Sequence, residues 1–150
     1  DFYHAGSHKR QKEIFRKFIK LSIKLDKPIT VHSRKAEKEC IEILEDEGAK
    51  KVIMHCFFGS LDLIDRIVEN GWFITIPTCC KHNNHFQEVI KKYDIENFLC
   101  ETDSPYMHPD KGKKNEPANV VESYKMISKI KGIELEEVER QVEENFHKLY

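Results

Sequence analysis

The sequence predicts an α/β protein built on parallel strands, and three observations carry that expectation. Short apolar runs alternate with longer segments of helical spacing, in the order α-β-α-β-α-β-α-β-α-α. The strand-like runs lack in-and-out alternation, as in strands covered on both faces. Between successive runs lies enough chain for the right-handed crossover that a parallel pair needs.

Each element follows from local chemistry. Lys9–Leu25 places Ile14, Phe15, Phe18, Ile19, Ser22 and Leu25 along one side, the period of a helix with one buried face. Pro28 opens a strand over Ile29–His32. Lys35–Glu47 reads as a helix with Ala36, Cys40, Ile43 and Leu44 inward and Gly48 as its stop. Val52–Phe57 is the second strand. Ser60 is expected to cap a helix over Leu61–Glu69, which Asn70-Gly71 ends. Trp72–Ile76 is the third strand, closed by Pro77, and Asn84–Tyr93 a short helix. Asn97–Thr102 is the fourth strand. A Lys-rich loop over Asp110–Asn115 leads to Pro117, placed where a first helical turn tolerates proline. Two helices, Asn119–Ile130 and Glu134–Leu149, close the chain.

The 150 residues suffice for one ordinary domain, 1–150. A net charge of −1 excludes bulk electrostatic attraction to nucleic acid or membrane, so affinity for phosphate has to come from a local site. No apolar run is long enough to cross a bilayer, and no secretory signal is visible. The odd set of five cysteines points to a reduced, cytoplasmic setting. Asp1 leads straight into helix, as in a chain that begins mid-domain.

The chemistry gathers at strand ends. The first strand ends in His32, the second carries His55 near its end, and the fourth leads into Asp103. In a parallel sheet all three lie towards one rim, where catalytic groups collect in open α/β sheets and barrels. Imidazole and carboxylate are the mixed donors that suit zinc, manganese or another divalent ion. A lone strand-end histidine is more often a hydrogen-bonding residue, and Asp103 before Ser104-Pro105 also reads as a turn opener. Three strand ends out of four carrying such a group is harder to assign to chance.

These segments resemble the TatD-type metal-dependent deoxyribonucleases. The match runs through ITVHSR with His32, IMHCFFGS with His55 and ETDSPY with Asp103, then NEPANV and the terminal ENFHKLY. The resemblance implies a partial (β/α)8 TIM-type barrel of the amidohydrolase kind. It implies hydrolysis of DNA phosphodiester bonds with a divalent metal (Mg, Zn or Mn). His32, His55 and Asp103 are then ligands, and Asp103 also orients or deprotonates the attacking water. The family's N-terminal strands, with a His-x-His pair and a metal-bridging glutamate, have no counterpart here; Asp1 matches the aspartate that follows them. A truncated barrel of this kind leaves open sheet edges, so a homo-oligomer or a separate N-terminal segment is expected to complete it.

Arg34, beside His32, is placed to clamp a phosphate, or to form a structural ion pair with Glu37 or Glu101. Glu101 shares a strand face with Asp103 and either supports a ligand or Arg34, or forms a structural ion pair. Asn115 begins the loop segment that the resemblance brings towards substrate; its alternative is a helix-cap region. Cys79-Cys80-Lys81-His82 with His85 lacks the spacing of a zinc knuckle. Phe57 and Phe58 read as one core and one rim residue. Two other functions stand beside DNA cleavage. One is hydrolysis of a small-molecule C–N or ester bond, because such barrels host many substrates. The other is a non-catalytic metal-binding or interaction module.

Overall fold

The structure is a computed structural model and describes residues 8–150. The elements run α1 (His8–Leu25), β1 (Ile29–His32), α2 (Glu37–Asp46), β2 (Val52–His55), α3 (Leu61–Glu69) and β3 (Phe73–Pro77). They continue with α4 (Asn84–Lys92), β4 (Phe98–Glu101), α5 (Val121–Lys131) and α6 (Leu135–Leu149). Three short 3-10 turns, Thr78–Lys81, Ile95–Asn97 and Pro117–Val120, add to the elements expected from sequence. The strands form one sheet in the order β1-β2-β3-β4. The β1–β2 and β2–β3 pairs are parallel. The expected α/β class and helix–strand alternation are therefore present.

Boundaries differ from expectation for identifiable reasons. Lys35 has a left-handed φ of 57°, so α2 starts at Glu37 rather than Lys35. Cys56 has a φ of 43°, which ends β2 at His55 rather than Phe57. Ser60 does occupy the position before α3, but its side chain makes no capping hydrogen bond. Pro117 leads a 3-10 turn, and the α-helix proper begins at Val121.

The chain divides into two compact units. The first ends at Ile74 and also holds Leu149–Tyr150; the second is Thr75–Lys148. The first unit is built on β1, β2, α2 and α3, with Val52, Met54, Phe57, Ile64, Ile67 and Leu44 fully buried. Trp72 is buried there, and its indole N–H donates to the Ala49 carbonyl at 3.0 Å, which satisfies its one polar atom. Arg66 pairs in bidentate fashion with Glu45 and ties α3 to α2; that pairing holds the Glu45 carboxyl below its ordinary range. Arg16 on α1 bonds both Asp46 and Glu47.

The inward face expected of α1 is only partly covered. Ile19 is buried, whereas Phe18 is 60% and Leu25 56% exposed. Phe15 and Phe18 line a groove of about 420 Å³ with Ile29, Val31, Ile43 and His32. The reason is topological. β1 is an end strand of the sheet, and among the described residues no further strand lies beyond it to cover this face.

In the second unit, Phe86, Val89, Ile90, Phe98, Ile127 and Val138 form the buried centre. Asn145, fully buried on α6, donates its amide to the carbonyls of Ile95 (2.8 Å) and Phe98 (2.9 Å). A polar residue thus pins the entry of β4 without leaving a buried group unsatisfied.

Candidate metal and hydrolytic site

Parallel pairing in register does the first piece of assembly. β1 and β2 align Ile29 with Val52 and continue to His32 opposite His55. Registered residues of parallel neighbours point to one face, so two imidazoles far apart in sequence become neighbours. Their ring centroids are 5.8 Å apart, tilted by 37°. His32 is exposed and His55 half-buried.

His55 is held by the turn on its C-terminal side. The chain reverses at Cys56 in the left-handed region, and Phe57 drops into the core with no exposure. Gly59 then packs against that ring. A Cβ at Gly59 would fall 2.4 Å from Phe57 Cε1 and 3.3 Å from Glu37 Cβ, so no other residue fits without displacement. Phe58 is 46% exposed, which gives the one-core, one-rim division expected of the phenylalanine pair.

Asp103 lies just past β4, in the second unit, at a φ of 55°. Aspartate is among the few residues that adopt this conformation at modest cost. Tyr106 N–H donates to the Asp103 carbonyl at 2.9 Å and closes a turn. Ser104 donates to Thr102 Oγ1 from its hydroxyl (2.9 Å) and from its N–H (3.3 Å). Glu101 and Asp103 are half-buried; Arg34 is exposed.

Asn115 is buried at 6% exposure, and its whole amide is engaged. Nδ2 donates to the Thr102 carbonyl (2.7 Å) and to Thr78 Oγ1 (2.9 Å). Oδ1 accepts from Glu116 N–H (3.0 Å) and Asn119 Nδ2 (2.9 Å). The same loop is tied to the 3-10 turn by Lys81, which bonds Asp110 at 3.0 Å, and by His82, whose Nε2 meets the His108 carbonyl at 3.3 Å. Lys81 and Lys113 hold the Asp110 carboxyl down at about 2. The sequence alone does not single out Thr78, Thr102 or Asn119. Thr102 and Asn119 fall within the ETDSPY and NEPANV segments, but the bonds to Asn115 that give all three their role run over 37, 13 and 4 positions.

The cysteine–histidine cluster after β3 separates on folding. Cys79 and Cys80 are buried, and burial pushes their thiols up to about 11 and about 12, which keeps them protonated and inert. His82 faces solvent. All five cysteines are free thiols.

The donor chemistry of the His32–His55 pair fits a borderline divalent ion, for which two imidazoles are common ligands. In number the pair is half a tetrahedral set. Among the described residues no group of three or more His, Cys, Asp or Glu is gathered to hold an ion. No helix among them is long and apolar enough to cross a membrane.

Comparison with known proteins identifies the framework. The chain is 39% identical over 144 residues to an uncharacterized metal-dependent hydrolase of Methanocaldococcus jannaschii, covering 96% of this chain and 57% of that protein. It is 34% identical over 150 residues to Deoxyribonuclease TATDN3 of Homo sapiens, covering 99% of this chain and 55% of the relative. The chain thus spans little more than half the length of these relatives. A TatD homolog from Escherichia coli K12 superposes with a TM-score of 0.87 at 23% identity, over 95% of this chain and 57% of that one. A TatD family hydrolase from Entamoeba histolytica gives 0.83 over the same shares, also at 23% identity. Parallel strands with intervening helices, matched to about 57% of these structures, are the partial barrel that the resemblance implied. The model of TatD related DNases matches residues 1–150 from end to end, and the chain belongs to that family.

Proposed function

We propose that this chain contributes the His32, His55 and Asp103 part of a metal-dependent hydrolase that cleaves phosphodiester bonds in DNA. The observation that carries the reading is the in-register His32–His55 pair, in a chain that matches the TatD related DNase family throughout. His32 and His55 are the residues that would hold a divalent ion through their ring nitrogens. When bound, such an ion polarises the phosphoryl oxygen and lowers the pKa of water. The Asp103 carboxylate takes a proton from the attacking water, whose oxygen forms the new bond to phosphorus. The ester P–O bond breaks, and the departing oxygen takes up a proton from solvent, to which Asp103 later returns the one it accepted. Arg34 contacts phosphate by bidentate hydrogen bonds, and Glu101 supports the neighbouring groups. The name of the human relative favours DNA over a small-molecule ester or amide.

One observation favours a second reading. Among the described residues no group of three or more His, Cys, Asp or Glu is gathered to hold an ion, as in a metal-binding module completed by a partner or a second copy. β1 and β4 are the end strands of the sheet and offer edges for such an association.

The test is metal content together with cleavage of labelled DNA by the metal-loaded protein. His32→Ala and His55→Ala are expected to lose bound Mn or Zn, with affinity falling about 10-fold or more. Asp103→Asn is expected to lose roughly 10²–10⁴-fold in rate. Unchanged metal content in both histidine variants would falsify the site. Metal binding without cleavage, in a protein that sediments as a dimer, would favour the second reading.

A further inference from the structure

Asn115 is a buried side chain bonded on both sides of Asp103, and we propose that it is a positioning residue for Asp103. It acts through the backbone and through Thr78, not by touching substrate. Its amide donates to the carbonyl of Thr102, the residue directly before Asp103, at 2.7 Å. Its own N–H donates to the Pro105 carbonyl, two residues after Asp103, at 2.9 Å. The two bonds bracket Asp103 from both sides. The turn between them is closed by Tyr106 N–H on the Asp103 carbonyl.

Thr78 completes the clamp. Its fully buried hydroxyl accepts from Asn115 Nδ2 at 2.9 Å and donates to the Met107 carbonyl at 2.5 Å. Asp103 and Met107 both have left-handed backbone, with φ of 55° and 58°. The bonded groups at Thr102, Asp103, Pro105 and Met107 lie in and around that stretch. Left-handed non-glycine residues persist only where the surroundings over-determine them. Asn115 supplies that determination because asparagine has two donors and two acceptor lone pairs on one planar group. All four are used, the remaining two by Glu116 N–H and Asn119 Nδ2. A saturated amide offers a ligand nothing, so its contribution is geometric.

This inference rests on the hydrolase reading only where its effect is measured as a rate. The experiment compares Asn115→Ala, Thr78→Val and Thr78→Ser with the parent chain in two measurements. The first is amide hydrogen exchange across residues 103–116. The Ala and Val variants are expected to exchange Tyr106 about 10-fold faster or more, with β1 and β2 amides unchanged and Ser close to the parent. The second is DNA cleavage by the metal-loaded protein. The Ala and Val variants are expected to lose up to about 100-fold in kcat with KM nearly constant, because misplacement harms the transition state more than binding. Restoration by Thr78→Ser separates the hydroxyl relay from general destabilisation. Unchanged exchange in the loop, or a raised KM with kcat intact, overturns the proposal; the latter outcome makes Asn115 a substrate contact. A parent chain that cleaves nothing counts against the hydrolase reading alone, and the exchange comparison still decides for or against the clamp. If Asn115→Ala does not fold, the Thr78 pair decides.

Discussion

The end of β2, which carries His55, and the end of β4, which leads into Asp103, are held by opposite chemistries. Both turn through a left-handed residue, Cys56 in one and Asp103 in the other. At β2 the turn is fixed by packing: the Phe57 ring is wholly buried and the Gly59 backbone lies against it. At β4 it is fixed by hydrogen bonds that Asn115, Thr78 and Ser104 donate, Thr102 accepting from both Asn115 and Ser104. Apolar packing is insensitive to pH and salt, but it concentrates its energy in one ring. A polar clamp spreads modest energies over many bonds, and each member costs most when its partners are left buried and unsatisfied. One strand end is therefore built to stay put, and the other to be exact about one carboxylate.

That contrast can be tested from the strongest perturbation downwards. Phe57→Ala removes a fully buried ring and is expected to cost roughly 3–5 kcal/mol, read as a shift of the denaturant midpoint. Gly59→Ala forces a methyl group into the Phe57 ring and is expected to cost about 1–3 kcal/mol. If Gly59→Ala costs nothing, the apolar pin is not what holds His55. In the polar clamp, Thr78→Val leaves the Met107 carbonyl and one Asn115 N–H without their partner, for an expected loss of about 1–3 kcal/mol. Thr78→Ser should return most of it. Equal losses for Val and Ser would mean that the methyl packing of Thr78, not its hydroxyl, matters.

The smallest effect is a pH dependence of the polar side. Asp110 is hydrogen-bonded by Lys81 and Lys113, which hold its carboxyl at about 2, below the ordinary 3.8. A depressed acid contributes stability that is present above its unfolded value and lost as the pH falls towards its folded one. The loop over 103–116 should loosen between about pH 4 and pH 2, seen as faster proteolysis or hydrogen exchange there. The Asp110 pairs are exposed, so the effect should also shrink at high salt.

The two strand ends differ in the same way in how legible they are from sequence. That Phe57 and Phe58 divide into one core and one rim residue follows from position after an apolar run, although which is which does not, and Pro28, Pro77 and Pro117 mark boundaries because proline fixes φ and lacks a donor. Periodicity fails at α1, where it places Phe18 and Leu25 inward and both are exposed. Helical spacing reports an apolar face; it does not report whether a neighbouring strand exists to cover it. Asn115 stands out by its motif, but its four side-chain bonds are invisible in the sequence. Thr78 carries no signal, since Asn115 and Met107, the partners that give it its role, are distant in sequence; Thr102 lies in the ETDSPY segment, but nothing there shows that its carbonyl meets Asn115.

By itself, the sequence determined the α/β alternation and the identity of the groups that lie near the strand ends. Those are consequences of local backbone preference and of apolar periodicity, which need only near neighbours. Only the tertiary structure decided that His32 stands opposite His55, because strand register is a long-range pairing that no short segment specifies. It alone decided that Asn115 clamps the turn of Asp103. A buried amide has to satisfy two donors and two acceptors, and which groups satisfy them is settled only when distant backbone is brought within hydrogen-bonding reach.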